Sequence, residues 1–224
     1  RYRSAPIHFF LTDHRGETIR RVIQRARDYI DAHQIDAAQF RLAGGPIGVL
    51  AAANEELLGN DILVNILGFG TIFLVLVLTY RSIMAGVYMI IPLLVANAII
   101  NAYMGARDIG INIHTLPVVT VGVGFGIDYA LYVVSRIIEE HRLGNPIDAA
   151  VAIALATSGK AVTFTALTMI LGTLFWTMSS LRFSAEMGLL LALWMGVSFL
   201  ATMTLLPVLV ALFKPRFITA QAAS

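Results

Sequence analysis

Five apolar runs constrain this chain more than any other feature. They lie at about residues 61–80, 83–104, 117–138, 161–179 and 187–212. Each has close to or more than the roughly 20 residues that a helix needs to cross a hydrocarbon core of ~30 Å. Backbone groups inside lipid must find hydrogen-bond partners within the segment, so runs of this length predict helices. The expected fold class is mostly α, a polytopic membrane helix bundle of five spans. Composition agrees: 58% of the 224 residues are hydrophobic and 13% charged, whereas a soluble domain is about half apolar and a quarter charged. Cysteine is absent, which removes disulfides and thiolate metal ligands. The net charge of +2 gives no argument for a nucleic-acid partner.

The first 59 residues differ in kind, with eight basic and seven acidic side chains in a near-balanced, water-facing segment. In PIHFFL, Ile7, Phe9 and Leu11 alternate with His8 and Phe10, as in a half-buried strand. Between residues 17 and 33, Ile19, Val22, Ile23, Ala26 and Ile30 recur at helical spacing, opposite Arg20, Arg21, Arg25 and Asp28. AAQFRLAG alternates again before Gly44-Gly45-Pro46 ends the unit. Such a βαβ unit, over residues 5–43, buries too little to be stable alone. It is expected to complete a domain that lies upstream. The chain opens on Arg1 rather than Met, so it reads as the C-terminal piece of a longer polypeptide. The expected division is a periplasmic segment over 1–45, a connecting helix over 46–60, a transmembrane domain over 61–213 and a cytoplasmic tail over 214–224.

Charge placement predicts the orientation. With the N-terminal segment outside, the inner loops and tail carry Arg81, Arg136, Arg142, Lys160, Lys214 and Arg216, and the outer loops only Arg107 and Arg182. The positive-inside rule then puts the soluble segment in the periplasm or exterior and the C-terminus in the cytoplasm. Between the third and fourth spans, Asn145 reads as a helix N-cap followed by Pro146 at the first helical position. Ile147, Val151, Ala154 and Leu155 form one apolar face. That face predicts a cytoplasmic interfacial helix over 146–158, although a plain connector fits the same residues. Trp176 and Trp194 are expected as anchors at the membrane interfaces.

Asp128 is the sole acid in residues 116–138. It stands eleven residues after Pro117, about 16 Å along a helix and therefore close to mid-membrane. A charged acid at that depth costs on the order of 2.5–3.5 kcal/mol on insertion scales, and such residues face a bundle interior or a wet cavity. Desolvation raises a carboxyl pKa and a nearby cation lowers it. An acid poised between the two effects can take up and release a proton near neutral pH, so Asp128 reads as a proton carrier. A permanently neutral acid, donating one hydrogen bond between helices, is the plainer alternative.

The neighbours fit close packing around that carboxyl. Gly122 and Gly126 make a GxxxG face that lets another helix approach. Gly124 bares the backbone one turn before Asp128, and Tyr129 and Tyr132 add hydroxyls. In the fourth span, Thr163, Thr165 and Thr168 are candidates to meet the aspartate. Thr165 and Thr168 share a face and could act as relay assistants. Threonines in a span usually bond to their own backbone instead.

GVGFGIDYALYVVSRIIEEHRLG, AVTFTALTMILGTLFW and the last span with Pro207 resemble the resistance–nodulation–division superfamily. The nearest branch is the large mycobacterial membrane protein and hopanoid-exporter group. The resemblance covers nearly the whole chain, as the end of the second ferredoxin-like periplasmic porter domain and transmembrane helices eight to twelve. It implies a proton-driven exporter of lipids or other hydrophobic molecules in the bacterial inner membrane. It also implies that Asp128 and Tyr129 are one Asp-Tyr pair of the proton relay, facing a second pair on the fourth helix. Thr165 or Thr168 matches a hydroxyl residue that often assists on the eleventh helix. The lysine that drug-efflux relatives carry on the tenth helix is absent here. The partners implied are the N-terminal half of the same transporter, a lipid or hydrophobic substrate, further copies in a homo-oligomer and periplasmic accessory proteins. No cofactor beyond the proton gradient is expected.

Rival readings are weaker. An intramembrane aspartyl protease needs Gly-x-Gly-Asp and a second membrane aspartate; here Ile127 intervenes, and no other span interior holds an acid. All five histidines lie outside the apolar runs, against a serine-type intramembrane protease. The expectation is therefore a secondary transporter and not an enzyme. A sterol-sensing or regulatory membrane domain, or a proton-driven secretion subunit, remains as the alternative. No Walker loop and no metal-ligand spacing appears.

Overall fold

A computed structural model of the chain describes residues 7, 16–33, 46–107, 109 and 116–222. The chain divides into two compact units, Arg1–Asn60 and Asp61–Ser224. Helix α1 (Gly16–Ala32) lies in the first unit. Val22, Ile23, Ala26 and Ile30 are half-buried along one side, and Arg21, Gln24, Arg25 and Arg27 are exposed on the other. The helical part of the βαβ expectation is thus observed. Among the described residues there is no strand, so the ferredoxin-like βαβ segment is not supported. Apart from Ile7, both expected strands fall outside the described residues.

Helix α2 (Pro46–Tyr80) is continuous; the expected connecting helix over 46–60 and the first span are one element. It is followed by α3 (Ile83–Ala106), α4 (Leu116–Arg142), α5 (Ile147–Ala156), α6 (Ser158–Leu174), a 3-10 turn (Phe175–Met178), α7 (Arg182–Phe213) and α8 (Arg216–Ala222). Five of these are long and apolar enough to cross a membrane: Leu63–Tyr80, Ile83–Ala106, Pro117–Arg142, Ser158–Met178 and Phe183–Phe213. The chain is a multi-pass membrane protein by that criterion.

In the second unit α7 is the central element, packing against α3, α4 and α6. Its buried side chains Leu190, Leu191, Trp194, Met195, Leu206 and Val210 belong to the main core. The reversals are short. Arg81 (φ 49°) turns α2 into α3, and Lys214 (φ 42°) caps the C-terminus of α7. Both adopt the left-handed conformation that glycine normally fills. Ser82 caps α3 with its hydroxyl accepting from the Ala85 amide at 3.4 Å.

Two boundary expectations change. Pro146, not Asn145, is the N-cap of α5. The Asn145 side chain instead donates to the buried Glu140 carboxylate at 2.8 Å, because a buried charge gains more from a donor than a solvent-facing helix end does. Helix α5 buries Ile147, Ala150, Val151 and Ala154 and packs on α4, so it is part of the bundle as well as apolar. The expected tail over 214–224 contains α8, whose Phe217 and Ile218 are buried. The Phe217 ring meets Tyr88 of α3 edge-on at a centroid distance of 6.0 Å.

The seam between α4 and α7 is tight. A Cβ built on Gly122 would come within 2.6 Å of the Trp194 ring, and one on Gly126 within 2.5 Å of Ser198 Oγ and 2.6 Å of Trp194. Trp194 is fully buried and has no room to yield. Gly126→Ala should therefore destabilise the full-length protein by about 1–3 kcal/mol through overpacking. Gly105→Ala, where nothing lies within 4 Å, should change stability by less than about 0.5 kcal/mol. Thermal unfolding in detergent checks both, and equal effects would sink the seam as described.

Candidate functional site

Helix geometry separates the two residues of the Asp128-Tyr129 pair. Successive residues on a helix point about 100° apart, so a side chain and its neighbour can belong to different environments. On α4, Pro117, Val121, Gly124, Asp128, Tyr132, Ser135 and Glu139 are all exposed. They recur at three- and four-residue spacing and form one stripe along the helix. Val121 and Tyr132, which flank Asp128, are 40% and 64% exposed. The carboxyl thus sits at the middle of an open face of the five-span unit, where it makes no hydrogen bond or ion pair with a described residue. Gly124 belongs to that stripe and has nothing within 4 Å of its Cβ position.

Tyr129 points the other way. It is buried with Val162 and Ala166 of α6, and Ile170, Phe199 and Met203 pack around the cluster. Its ring meets Phe199 of α7 edge-on at 6.1 Å, a favourable aromatic geometry. The Tyr129 hydroxyl has no hydrogen-bond partner among the described residues.

Gly122 and Gly126 do bring a second helix close, and that helix is α7. The aspartate is not on the same side, since residues 126 and 128 differ by about 200° around α4. Thr165 and Thr168 are exposed and turn their hydroxyls back on α6. Thr165 donates to the Ala161 carbonyl at 3.1 Å, and Thr168 to the Thr165 carbonyl at 2.8 Å. Thr163 does the same to Gly159 at 2.7 Å. Neither threonine of the expected pair bonds to Asp128.

Trp194 is a correction. It is not at an interface but wholly buried against the glycine seam, because two missing side chains on α4 leave a slot that fits an indole. Trp176, within the 3-10 turn, is 45% exposed. With Ser198 and Thr202, Trp194 makes a four-residue repeat of polar-bearing side chains down α7, all buried. The same spacing was readable in the last apolar run, but nothing local says that it faces inward.

The C-terminal end of α4 is held by polar contacts. Arg136 pairs with Glu139 at 2.7 Å and with the buried Glu140. The Tyr80 and Ser135 hydroxyls share a hydrogen bond of 2.8 Å, which ties α2 to α4. Lys214 pairs with Asp148 at 2.9 Å. At the opposite end, an open groove of about 480 Å³ lies between α2 and α4, lined by Val64, Leu67, Phe69, Ile72, Val119 and Val123 with Thr71 and Thr120. Among the described residues no group of three or more His, Cys, Asp or Glu is placed to hold a metal ion.

The model of the MMPL family matches residues 11–222. The chain belongs to the MMPL family. Its relatives include the probable transport protein MmpL12 of Mycobacterium tuberculosis, 31% identical over 188 residues, which are 77% of this chain and 16% of that protein. Membrane protein YdfJ of Bacillus subtilis is 29% identical over 207 residues, 88% of this chain and 26% of the relative. The trehalose monomycolate exporter MmpL3 of Mycolicibacterium smegmatis is 28% identical over 147 residues, 62% of this chain and 14% of the relative. The chain thus spans well under half the length of these three relatives. No solved structure matches it significantly.

Burial of Trp194 in this MMPL chain has a measurable consequence. Trp194→Ala should cost about 3–5 kcal/mol, the range for a core aromatic truncation. Trp176→Ala should cost less than about 1 kcal/mol. Denaturant or thermal unfolding of the full-length protein compares the two; a small effect at Trp194 would return it to the interface.

Proposed function

We propose that this chain is part of a proton-motive-force-driven exporter that moves lipids or other hydrophobic molecules out of the inner membrane, with Asp128 as the proton carrier. The observation that carries the reading is the place of Asp128, alone at mid-span on the open stripe of α4. A carboxylate facing lipid at that depth is strongly disfavoured. The stripe therefore calls for a protein or water-lined partner, and the N-terminal half of the same transporter is the natural occupant. Gly124 and Tyr132 would frame the contact. Protonation removes the buried charge, changes which packing of the two halves is favoured, and so couples the proton to a change of access.

Further support comes from the relatives, which are named as transport proteins and, in one case, as an exporter. The apolar groove between α2 and α4 has the chemistry to accept an acyl chain or a similar apolar group. In this reading the N-terminal segment is periplasmic, the C-terminus is cytoplasmic and Tyr129 orients the relay. Thr165 and Thr168 take part only if their hydroxyls leave their own helix.

Asp128→Asn in the full-length protein, at matched expression, should abolish both substrate export and proton flux in proteoliposomes while the protein still folds. Unchanged flux would reduce Asp128 to a structural hydrogen-bonding group and favour a sensing or regulatory membrane domain. Thr165→Val and Thr168→Val should each lower flux if those residues assist; no change removes them from the relay.

A further inference from the structure

The last transmembrane helix carries polar atoms that the relay does not use. Ser198 Oγ, Thr202 Oγ1 and Trp194 Nε1 are buried without a hydrogen-bond partner among the described residues, as is the Tyr129 hydroxyl. Trp194, Ser198 and Thr202 have no exposed surface, and Tyr129 has 2%. That burial is produced by this chain alone, so a second half or another protein docking on the outside does not reach these atoms. Buried polar groups are rarely left unpaired, least of all inside a membrane.

The orphaned hydroxyls also differ from their neighbours. Thr163, Thr165, Thr173 and Thr204 all donate to a carbonyl four residues back on their own helix. Thr204, exposed and two residues beyond Thr202, bonds to Leu200 at 2.7 Å. Ser198 and Thr202 do not take that option, and their oxygens face inward. One turn apart on a helix, they have Cβ atoms about 5–6 Å from each other. Two O–H···O bonds of about 2.8 Å meeting at one oxygen span a comparable distance. Gly126 lets α7 come close at this point, its bare Cα lying against Ser198 Oγ. The register of α4 on α7 pairs 122 with 194 and 126 with 198. One more turn puts Thr202 level with residue 130, beside Tyr129. The Tyr129 ring meets Phe199, and Met203 packs on the same small cluster; these are the residues that follow Ser198 and Thr202.

We propose that Ser198 and Thr202 bind ordered water in the α4–α6–α7 interior, and that this water extends to the Tyr129 hydroxyl. The ligand is a small hydrogen-bonding molecule with both donors and acceptors, since two to four polar partners are what a buried water needs. The site lies across α4 from Asp128, at the same depth. Its consequence for proton movement rests on the relay reading: Tyr129 then joins a carboxyl on the open face of α4 to a hydrated track on the inner face. The existence of the water site does not rest on that reading.

Radiolytic hydroxyl-radical labelling of the full-length protein in ¹⁸O water tests it, because radicals formed from trapped water oxidise the adjacent side chains. Tyr129, Trp194 and Met203 should be labelled with ¹⁸O. Met89, buried in α3 with no exposed surface, should remain unlabelled. Ser198→Ala combined with Thr202→Val should lower labelling at Tyr129 and Trp194 several-fold and leave exposed Tyr132 unchanged. Absence of label at Tyr129 and Trp194 in the unmodified protein overturns the proposal without any variant. Labelling that persists in the double variant, or that is as strong at Met89, also overturns it. If Asp128→Asn leaves flux intact, the relay reading fails while the labelling result still decides the water site.

Discussion

The contact on which the rest depends is a tryptophan lying on two glycines. Trp194 of α7 occupies the slot left by Gly122 and Gly126 of α4. Between helices in lipid there is little hydrophobic driving force, so close packing and shape complementarity hold them together. A large ring in a bare groove gives an extensive contact of this kind and also sets the register. Once 122 lies opposite 194 and 126 opposite 198, the depth and rotation of α4 follow.

That rotation decides the character of the candidate site. With the glycines turned to α7, Asp128 is turned out of the five-span unit, onto a stripe with Gly124 and Tyr132. Tyr129, one step on, is driven inward against α6 and α7. A pair of adjacent residues is thereby divided between an open face and a closed interior, with a single peptide of backbone between them. The arrangement gives a carboxyl that can meet a partner from outside and a phenol whose surroundings are built by this chain alone. It also removes Thr165 and Thr168 from the geometry expected of them, since α6 presents Val162 and Ala166 to Tyr129 and its threonines bond to their own helix.

At the C-terminal end of α4 a different principle takes over. Arg136, Glu140, Asn145, Lys214 and Asp148 are joined in short polar links, and α5 and α8 lay apolar residues on α4. Ion pairs of this sort contribute little when exposed, but Glu140 is buried, so losing its partners would leave an uncompensated charge. The base of α4 is held from several sides, while the stripe through Asp128 is left open.

The five spans were legible in the sequence because length and hydropathy are properties of a segment taken alone. The solitary Asp128 was legible for the same reason, as was α1, whose apolar residues repeat at helical spacing. Facing is different: it depends on which distant residue fills a gap. The GxxxG face announced a close neighbour but not that α7 would supply it, and no local pattern marked Trp194 as core instead of interface. Asn145 looked like a cap until Glu140 came within its reach. Residues 214–224 read as a tail because a short run shows no partner of its own; Phe217 and Ile218 acquire one only from α3 and α4. The sequence by itself determined that this is a five-span membrane chain with one acid at mid-depth. Only the tertiary structure decided which way that acid, its tyrosine and the hydroxyls of α7 point, since side-chain direction in a bundle is set by the packing of one helix on another.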